Sequence, residues 1–284
     1  MNNNKIRITA GKSLINFNLT NKKIGITDFR GTEFKGLMGI TKFADGDIII
    51  GANNFLISLK TGEVVGYYES LDFHHIKYIN KKLIITCTRA NQLIVLSDNN
   101  SKLIGINPPD KSIPVQKTLN YNHLNCICYY DHKYYVDLNW LTTRPFDVSG
   151  VSVLDEEFNE IDRFEYGWQT HGFTVINDDY YALCGANKIQ KNIHHPNVGG
   201  LMVNGDIVYE IKNDWFCKDF SVDDKYIYIV GGNNSHRADR HKVDGLLIIL
   251  DRKFNEIDKI VFKGTGECRG CLLNNYDYCD GYSN

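Results

Sequence analysis

Residues 151–163 read VSVLDEEFNEIDR, and residues 247–259 read LIILDRKFNEIDK. Seven positions are identical at an offset of 96 residues, so the two segments are copies of one unit. Each copy is an alternating apolar run, a polar turn and a second run, a pattern that predicts a β-hairpin. Asn159 and Asn255 are expected to adopt the left-handed conformation of the turn, because Asn tolerates that geometry. The recurrence indicates an internal repeat.

One strand pattern recurs along the whole chain and indicates the length of the repeat. It occurs at Lys5–Thr9, Ile48–Gly51, Leu83–Thr86, Tyr134–Asp137, Tyr180–Leu183 and Tyr226–Ile229. The starts are separated by 43, 35, 51, 46 and 46 residues, close to half of the 96-residue offset. This interval is typical of a blade of four antiparallel strands, and six such blades fill the chain. No helical period longer than two turns occurs, so we predict an all-β protein.

The two ends of the chain complement each other. Lys5–Asp28 predicts the last three strands of a blade, whereas Glu267–Asn275 predicts only a first strand. Pairing these segments would close a ring through one blade shared by both termini and would remove exposed strand edges. The sequence therefore predicts a single domain over residues 1–284, a six-bladed β-propeller of four-stranded blades. This repeat pattern resembles the six-bladed β-propeller superfamily, which includes the NHL-repeat and gluconolactonase-like groups.

The composition argues against several classes of partner. The net charge is −2 and the isoelectric point is about 6.5, so no basic field would attract nucleic acid or an anionic membrane. No apolar run is long enough to span a membrane, and the N-terminus lacks the apolar core of a signal peptide. We therefore expect a cytoplasmic protein whose eight cysteines are reduced.

The histidines form the first group of candidate site residues. In a β-propeller, the starts of the first strands and the loops after the second strands lie on one face, where eight of the nine histidines fall. His74 and His171 lie 97 residues apart, and His123 lies near the corresponding position between them. Converging imidazoles would act as catalytic acid and base, or bind a divalent metal ion as cofactor. A structural role, in which histidine bonds to backbone carbonyl groups, is the alternative.

A second group on the same predicted face is basic and would bind the ligand. Its members are Arg30, Arg89, Arg144, Arg237, Arg269, His236 and His241. Guanidinium groups bind carboxylate and phosphate, so this group indicates a small anionic ligand. The alternative is that these arginines pair with Asp and Glu of neighbouring blades. Trp140, Trp168 and Trp215 would either stack on a sugar or pack between blades.

Two classes of function fit this pattern, and the sequence does not decide whether the protein is an enzyme. In the first, the His- and Arg-rich face binds or acts on a small anionic or polyhydroxylated ligand, as a hydrolase or lyase assisted by a metal. In the second, the same face is a non-catalytic module that binds a protein or a glycan. Convergence of the side chains on one reacting atom would favour the enzyme. The expected partner is a small molecule in the first class and a macromolecule in the second.

Overall fold

The computed structural model describes residues 5–29, 36–68, 72–97, 100–106, 121–141, 148–185, 198–212, 214–235 and 239–274. In these ranges the regular elements are 24 β-strands, which form six antiparallel sheets of four strands each. This confirms the predicted fold class, an all-β protein with the six four-stranded blades of a β-propeller. The residues divide between two compact units, each with three blades. A single domain over residues 1–284 stays a prediction.

Unit 1 comprises residues 1–67 and 214–278. Its N-terminal strands are β1 (Lys5–Ala10), β2 (Ser13–Asn18), β3 (Ile24–Asp28), β4 (Ile40–Lys42), β5 (Ile48–Ala52), β6 (Phe55–Ser58) and β7 (Val64–Tyr67). Its C-terminal strands are β20 (Trp215–Val222), β21 (Tyr226–Asn233), β22 (Gly245–Asp251), β23 (Glu256–Phe262) and β24 (Cys268–Leu273). The sheet orders are β24-β1-β2-β3, β4-β5-β6-β7 and β20-β21-β22-β23.

The blade that contains both ends of the chain is the one that the sequence predicts. Strand β24 pairs with β1, with Ile8 opposite Cys271 on one side and opposite Ile15 of β2 on the other. Ile6, Ile8 and Ile15 are fully buried and pack with Phe17 in one hydrophobic cluster of this unit. The outer strand β3 is exposed along its length. The core of the shared blade therefore depends on the N-terminal strands.

Unit 2 comprises residues 68–213 and 279–284. Its first six strands are β8 (Phe73–Ile79), β9 (Lys82–Cys87), β10 (Gln92–Ser97), β11 (Asn100–Gly105), β12 (Leu124–Tyr130) and β13 (Lys133–Leu138). The remaining strands are β14 (Gly150–Leu154), β15 (Glu160–Glu165), β16 (Thr170–Ile176), β17 (Asp179–Cys184), β18 (Gly199–Val203) and β19 (Asp206–Ile211). The sheet orders are β11-β10-β9-β8, β12-β13-β14-β15 and β16-β17-β18-β19. The recurring strand of the sequence is the second strand of each of these blades, β9, β13 and β17.

The duplicated segments form the hairpins β14–β15 and β22–β23, as predicted. The prediction that Asn159 and Asn255 adopt the left-handed conformation is wrong. The left-handed residues are Phe158 (φ 68°) and Phe254 (φ 67°), not Asn159 and Asn255. In the first copy, Asp155 Oδ1 accepts the backbone N–H of Asn159 at 2.8 Å, and Asp155 Oδ2 accepts from Asn159 Nδ2 at 2.9 Å. These two bonds hold the asparagine, so the preceding phenylalanine takes the left-handed conformation.

The described residues contain seven of the eight cysteines, and all seven are buried free thiols. In the same residues, no helix is long and apolar enough to cross a membrane.

Candidate functional site

A β-bulge decides how the first strand of a blade in unit 2 presents its histidines. In β8 the register shifts just before His75, which makes His74 the extra residue of the bulge. Such an insertion re-aims a side chain out of the regular alternation. His75 then pairs with Thr86, and His171 pairs with Leu183 at the same level of its own blade. The ladder counterpart of His171 is therefore His75, although the sequence offset matches His171 to His74.

The structure brings two of the three predicted catalytic histidines together. The ring centroids of His74 and His123 are 4.8 Å apart in an edge-to-face arrangement, and the Trp140 ring lies 5.0 Å from that of His123. His74 Nε2 lies 3.8 Å from Asp72 Oδ2. Asp72 and His123 both have a φ of 53°, an uncommon conformation that is found most often at turns and functional sites. We call His74, His123, Asp72 and Trp140, together with Asn125, the histidine cluster.

Asn125 determines which nitrogen of His74 carries the proton. Asn125 Nδ2 donates to the carbonyl oxygen of Thr170 at 2.5 Å, and a carbonyl can only accept, so the orientation of the amide follows. Asn125 Oδ1 then faces His74 Nδ1 at 3.3 Å, and this nitrogen must be the donor. In the neutral imidazole the lone pair therefore lies on Nε2, the nitrogen on the side of Asp72. The sequence did not identify Asn125 as a candidate, because its contacts with His74 and Thr170 join three different blades.

His171 is the third predicted histidine, and it is buried. Its Nδ1 donates to the carbonyl oxygen of Thr170 at 2.6 Å, the oxygen that also accepts from Asn125. His74 and His171 are thus linked through Asn125 and one carbonyl group.

His75 is also buried, and the backbone N–H of Ile127 donates to its Nδ1 at 3.4 Å. Burial lowers the pKa of His75 to about 3, so this imidazole is neutral and has the structural role.

A buried carboxyl group is linked to the histidine cluster through Thr170. Asp137 is fully buried, and it accepts a hydrogen bond from Thr170 Oγ1 at 2.6 Å. Its second oxygen lies 3.6 Å from Cys126 Sγ. Burial raises the pKa of Asp137 to about 7, although the hydrogen bonds from Thr170 and Cys126 oppose this shift. A carboxyl residue inside the apolar run of β13 was the sequence signal that could have identified it.

The buried state of Asp137 leads to a testable pH dependence. Between its unfolded pKa near 4 and its folded pKa of about 7, the folded protein holds a proton that the unfolded chain has released. Stability should therefore fall as the pH rises through this window. Asp137→Asn keeps the shape without the charge, so it should raise the free energy of unfolding at pH 8 by up to about 4 kcal/mol and have little effect at pH 4.

Urea unfolding at several pH values measures this effect. The control is Asp131→Asn, because Asp131 is an exposed aspartate of the turn after β12. Parallel curves of stability against pH for the wild type and Asp137→Asn would show that Asp137 does not take up a proton on folding.

Unit 1 contains a separate charged cluster. Glu267 is buried, and its Oε2 accepts from Arg269 Nε at 3.1 Å, whereas Oε1 lies 4.0 Å from Arg240 Nε. Burial opposes the ionisation of this carboxyl group. Lys218, Arg269 and Arg240 nevertheless hold the pKa of Glu267 below its usual value. Arg269 and Lys218 are both bulge residues of their strands, like His74. We call Lys218, Arg240, Glu267 and Arg269 the cationic cluster.

The other predicted residues have varied placements. Arg89 and His241 are exposed in turns. Arg89 follows Thr88, whose backbone N–H donates to the carbonyl oxygen of Asp72, and His241 follows Arg240, with its backbone next to Gly11 and Gly266. Arg30, Arg144, His236 and Arg237 lie outside the described residues. Trp168 donates through Nε1 to the carbonyl oxygen of Val198 and packs against the hydrophobic core of unit 2. Among the described residues, no three His, Cys, Asp or Glu side chains are arranged to hold a metal ion, so metal binding stays a prediction without a ligand set.

Comparison with known proteins shows similarity of fold alone. No protein-family sequence model matches the chain, and no curated protein sequence matches it either. Among solved structures, a nidogen/laminin complex matches with a TM-score of 0.59 and 10% identity, over 94% of this chain and 97% of that chain. A candidate gluconolactonase matches with a TM-score of 0.55 and 10% identity, over 81% and 79%. Virginiamycin B lyase from Staphylococcus aureus matches with a TM-score of 0.52 and 12% identity, over 91% and 87%. The propeller neighbours thus include lyase and lactonase-like proteins as well as a protein–protein complex.

Proposed function

We propose that this protein is an enzyme that binds a small polar ligand at the histidine cluster and removes a proton with His74 Nε2. The observation that carries this proposal is the contact of His74 Nδ1 with Asn125, whose amide is in turn oriented by Thr170. A general base must keep its lone pair available and correctly aimed, and this arrangement assigns the lone pair to Nε2. The His74 side chain is 14% exposed, so part of it is open to solvent.

Asp72 supports the proposed base. Its carboxylate lies 3.8 Å from His74 Nε2, close enough to stabilise the imidazolium that forms when the proton is taken up. The proton can come from either of two sources, and each source gives one of the two reaction types expected from the sequence. If the proton comes from carbon, a leaving group departs as in a lyase. If the proton comes from water, the hydroxide attacks a carbonyl group as in a hydrolase.

The rings of His123 and Trp140 favour a ligand with a flat face. They lie next to His74, and aromatic rings of this kind stack on sugars and lactones through dispersion and polar contacts. This supports the polyhydroxylated ligand more directly than the metal-assisted mechanism.

We also place the enzyme in the cytoplasm. The seven buried free thiols support a reducing compartment, because oxidising compartments favour disulfides.

A small set of substrates tests whether the protein is an enzyme. The wild type should be incubated with gluconolactone and with virginiamycin B, the substrate types that the names of the structural neighbours suggest. Ring opening is the expected result for at least one of them. Hydrolysis adds the mass of one water, whereas opening by elimination leaves the mass unchanged, so liquid chromatography coupled to mass spectrometry should follow the reaction by retention time and by mass. Binding of these compounds without turnover would instead favour the non-catalytic module, and it would overturn the role of His74 as a base toward them.

A further inference from the structure

We propose that Asp137 is a positioning residue that controls the orientation of the base His74 through Thr170 and Asn125. The ionised carboxylate would hold Thr170 in place, and the carbonyl group of Thr170 would hold the amide of Asn125 against His74. This inference rests on the proposed function, because it concerns how the base is held. It adds the regulation of that base by a second ionisable group.

Three hydrogen bonds connect the carboxyl group of Asp137 with the imidazole of His74. Thr170 Oγ1 donates to Asp137 Oδ1 at 2.6 Å, and the carbonyl oxygen of Thr170 accepts from Asn125 Nδ2 at 2.5 Å. Asn125 Oδ1 then accepts from His74 Nδ1 at 3.3 Å. Thr170 is the central residue, because its hydroxyl and its carbonyl group bond to different partners. A change at Asp137 therefore reaches His74 through one residue and one amide.

Water has little access to this chain of bonds. Asp137 is fully buried, and Thr170 and Asn125 are 1% and 6% exposed. Hydrogen bonds in such surroundings are electrostatically stronger than in water. The bond from the Thr170 hydroxyl has the length of a charge-assisted O–H···O⁻ bond. The ionised carboxylate would therefore hold this hydroxyl more firmly than the neutral carboxyl group does.

The fold itself does not need a carboxyl group at this position. The fifth residue of the second strand is Thr86 in β9, Asp137 in β13 and Leu183 in β17, and all three are buried. The other two blades of unit 2 thus have an uncharged residue at this level. Burial opposes the ionisation of Asp137, so the carboxyl group lowers stability above pH 7. A residue that destabilises the fold while its bonds lead to a candidate site is best explained by a role in that site.

The surroundings of Asp137 leave the Thr170 hydroxyl as its strongest donor. The facing group from β12 is the thiol of Cys126, whose Sγ lies 3.6 Å from Asp137 Oδ2, and a thiol is a weak donor. Burial raises the pKa of Cys184 on β17 to about 12, and the charge of Asp137 adds to this shift, so that thiol stays neutral. The paired residue on β14 is Val151. Among the described residues, no cation compensates the charge of Asp137.

Long-range ¹H–¹⁵N spectra of the histidine side chains test the inference on the full-length protein at pH 8, without substrate. Asp137 is mostly ionised at this pH, and His74 of the wild type should carry its proton on Nδ1. Thr170→Val and Asp137→Asn should each lower the ratio of the Nδ1–H to the Nε2–H tautomer at least about fivefold, the factor that corresponds to one ordinary hydrogen bond. Thr170→Ser keeps the hydroxyl and should retain the wild-type ratio. Asp137→Asn should lower the ratio although it stabilises the fold, a combination that a purely structural role would not produce.

Thr9→Val is the matched control, because Thr9 is a buried threonine of unit 1 whose Oγ1 donates to the carbonyl oxygen of Met38 at 2.6 Å. It removes the same group and should leave the tautomer ratio of His74 unchanged. The inference is overturned if Thr170→Val or Asp137→Asn keeps the wild-type ratio, if Thr170→Ser loses it as Thr170→Val does, or if Thr9→Val changes it equally. These spectra do not depend on turnover, so their outcome is separate from that of His74→Ala, which tests whether His74 is the base.

Discussion

Deletion of residues 1–28 is expected to abolish the cooperative unfolding of the protein. The deletion removes β1, β2 and β3, and leaves β24 as the only strand of its blade. It also removes Ile6, Ile8, Ile15 and Phe17 from a buried cluster that includes Tyr228 and Leu247 of the adjacent blade in unit 1. Exposed strand edges and a missing core are both destabilising, so the thermal transition should become broad or disappear. A sharp transition at the temperature of the full-length protein would show that the shared blade is not needed.

Point variants along one row of the shared blade give the same test at finer scale. Ile8 pairs with Ile15, and Ile15 pairs with Ile26, so the three side chains belong to neighbouring strands at one level. Ile8 is fully buried, whereas Ile26 is 54% exposed. We expect Ile8→Ala to lower the free energy of unfolding by roughly 2–5 kcal/mol, and Ile26→Ala to change it by about 0.5 kcal/mol or less. Denaturant unfolding of the two variants makes this comparison with the same chemical change.

Replacement of His74 by alanine is expected to lower turnover of the substrate found for the wild type by about 10²- to 10⁴-fold, the usual contribution of a general base. The fold should remain, because the side chain is a partly exposed bulge residue. His132→Ala is the control, since His132 is an exposed histidine in the turn between β12 and β13. If His74→Ala retains turnover within a few fold of the wild type, His74 is not the base.

Asn125 is expected to act as a positioning residue for His74. Asn125→Leu removes the acceptor of His74 Nδ1, so the proton is no longer held on that nitrogen. We expect a fall in kcat with a smaller change in KM, together with a shift of the imidazole ¹⁵N resonances away from the Nδ1–H tautomer. A purely structural role for Asn125 would not change the tautomer, so unchanged resonances would contradict this role.

The local pattern of the sequence was sufficient for the fold. Strand alternation, the duplicated hairpin and the incomplete sets of strands at the two ends predicted the six blades and the blade shared by β24 and β1. These features are visible in sequence because alternation along a strand is a property of adjacent residues. The same reasoning placed His74, His123 and His171 on one face, because strand starts at repeat spacing recur on one side of their blades. In the structure the rings of His74 and His123 are in contact, whereas His171 is buried and bonds to the carbonyl oxygen of Thr170. The ligand-binding role of Arg269 stays a prediction.

Only the tertiary structure decided the details of the two clusters. The bulge at His74 changes the register by one residue, and no periodicity in the sequence marks where it occurs. The contact of Asn125 with His74 joins residues 51 positions apart. Arg269 and Arg240 both lie next to Glu267, but they come from two different blades. Hydrogen bonds of this kind depend on distances of a few tenths of an ångström between separate strands. Hydrophobic alternation specifies which face of a strand is buried, but not these distances.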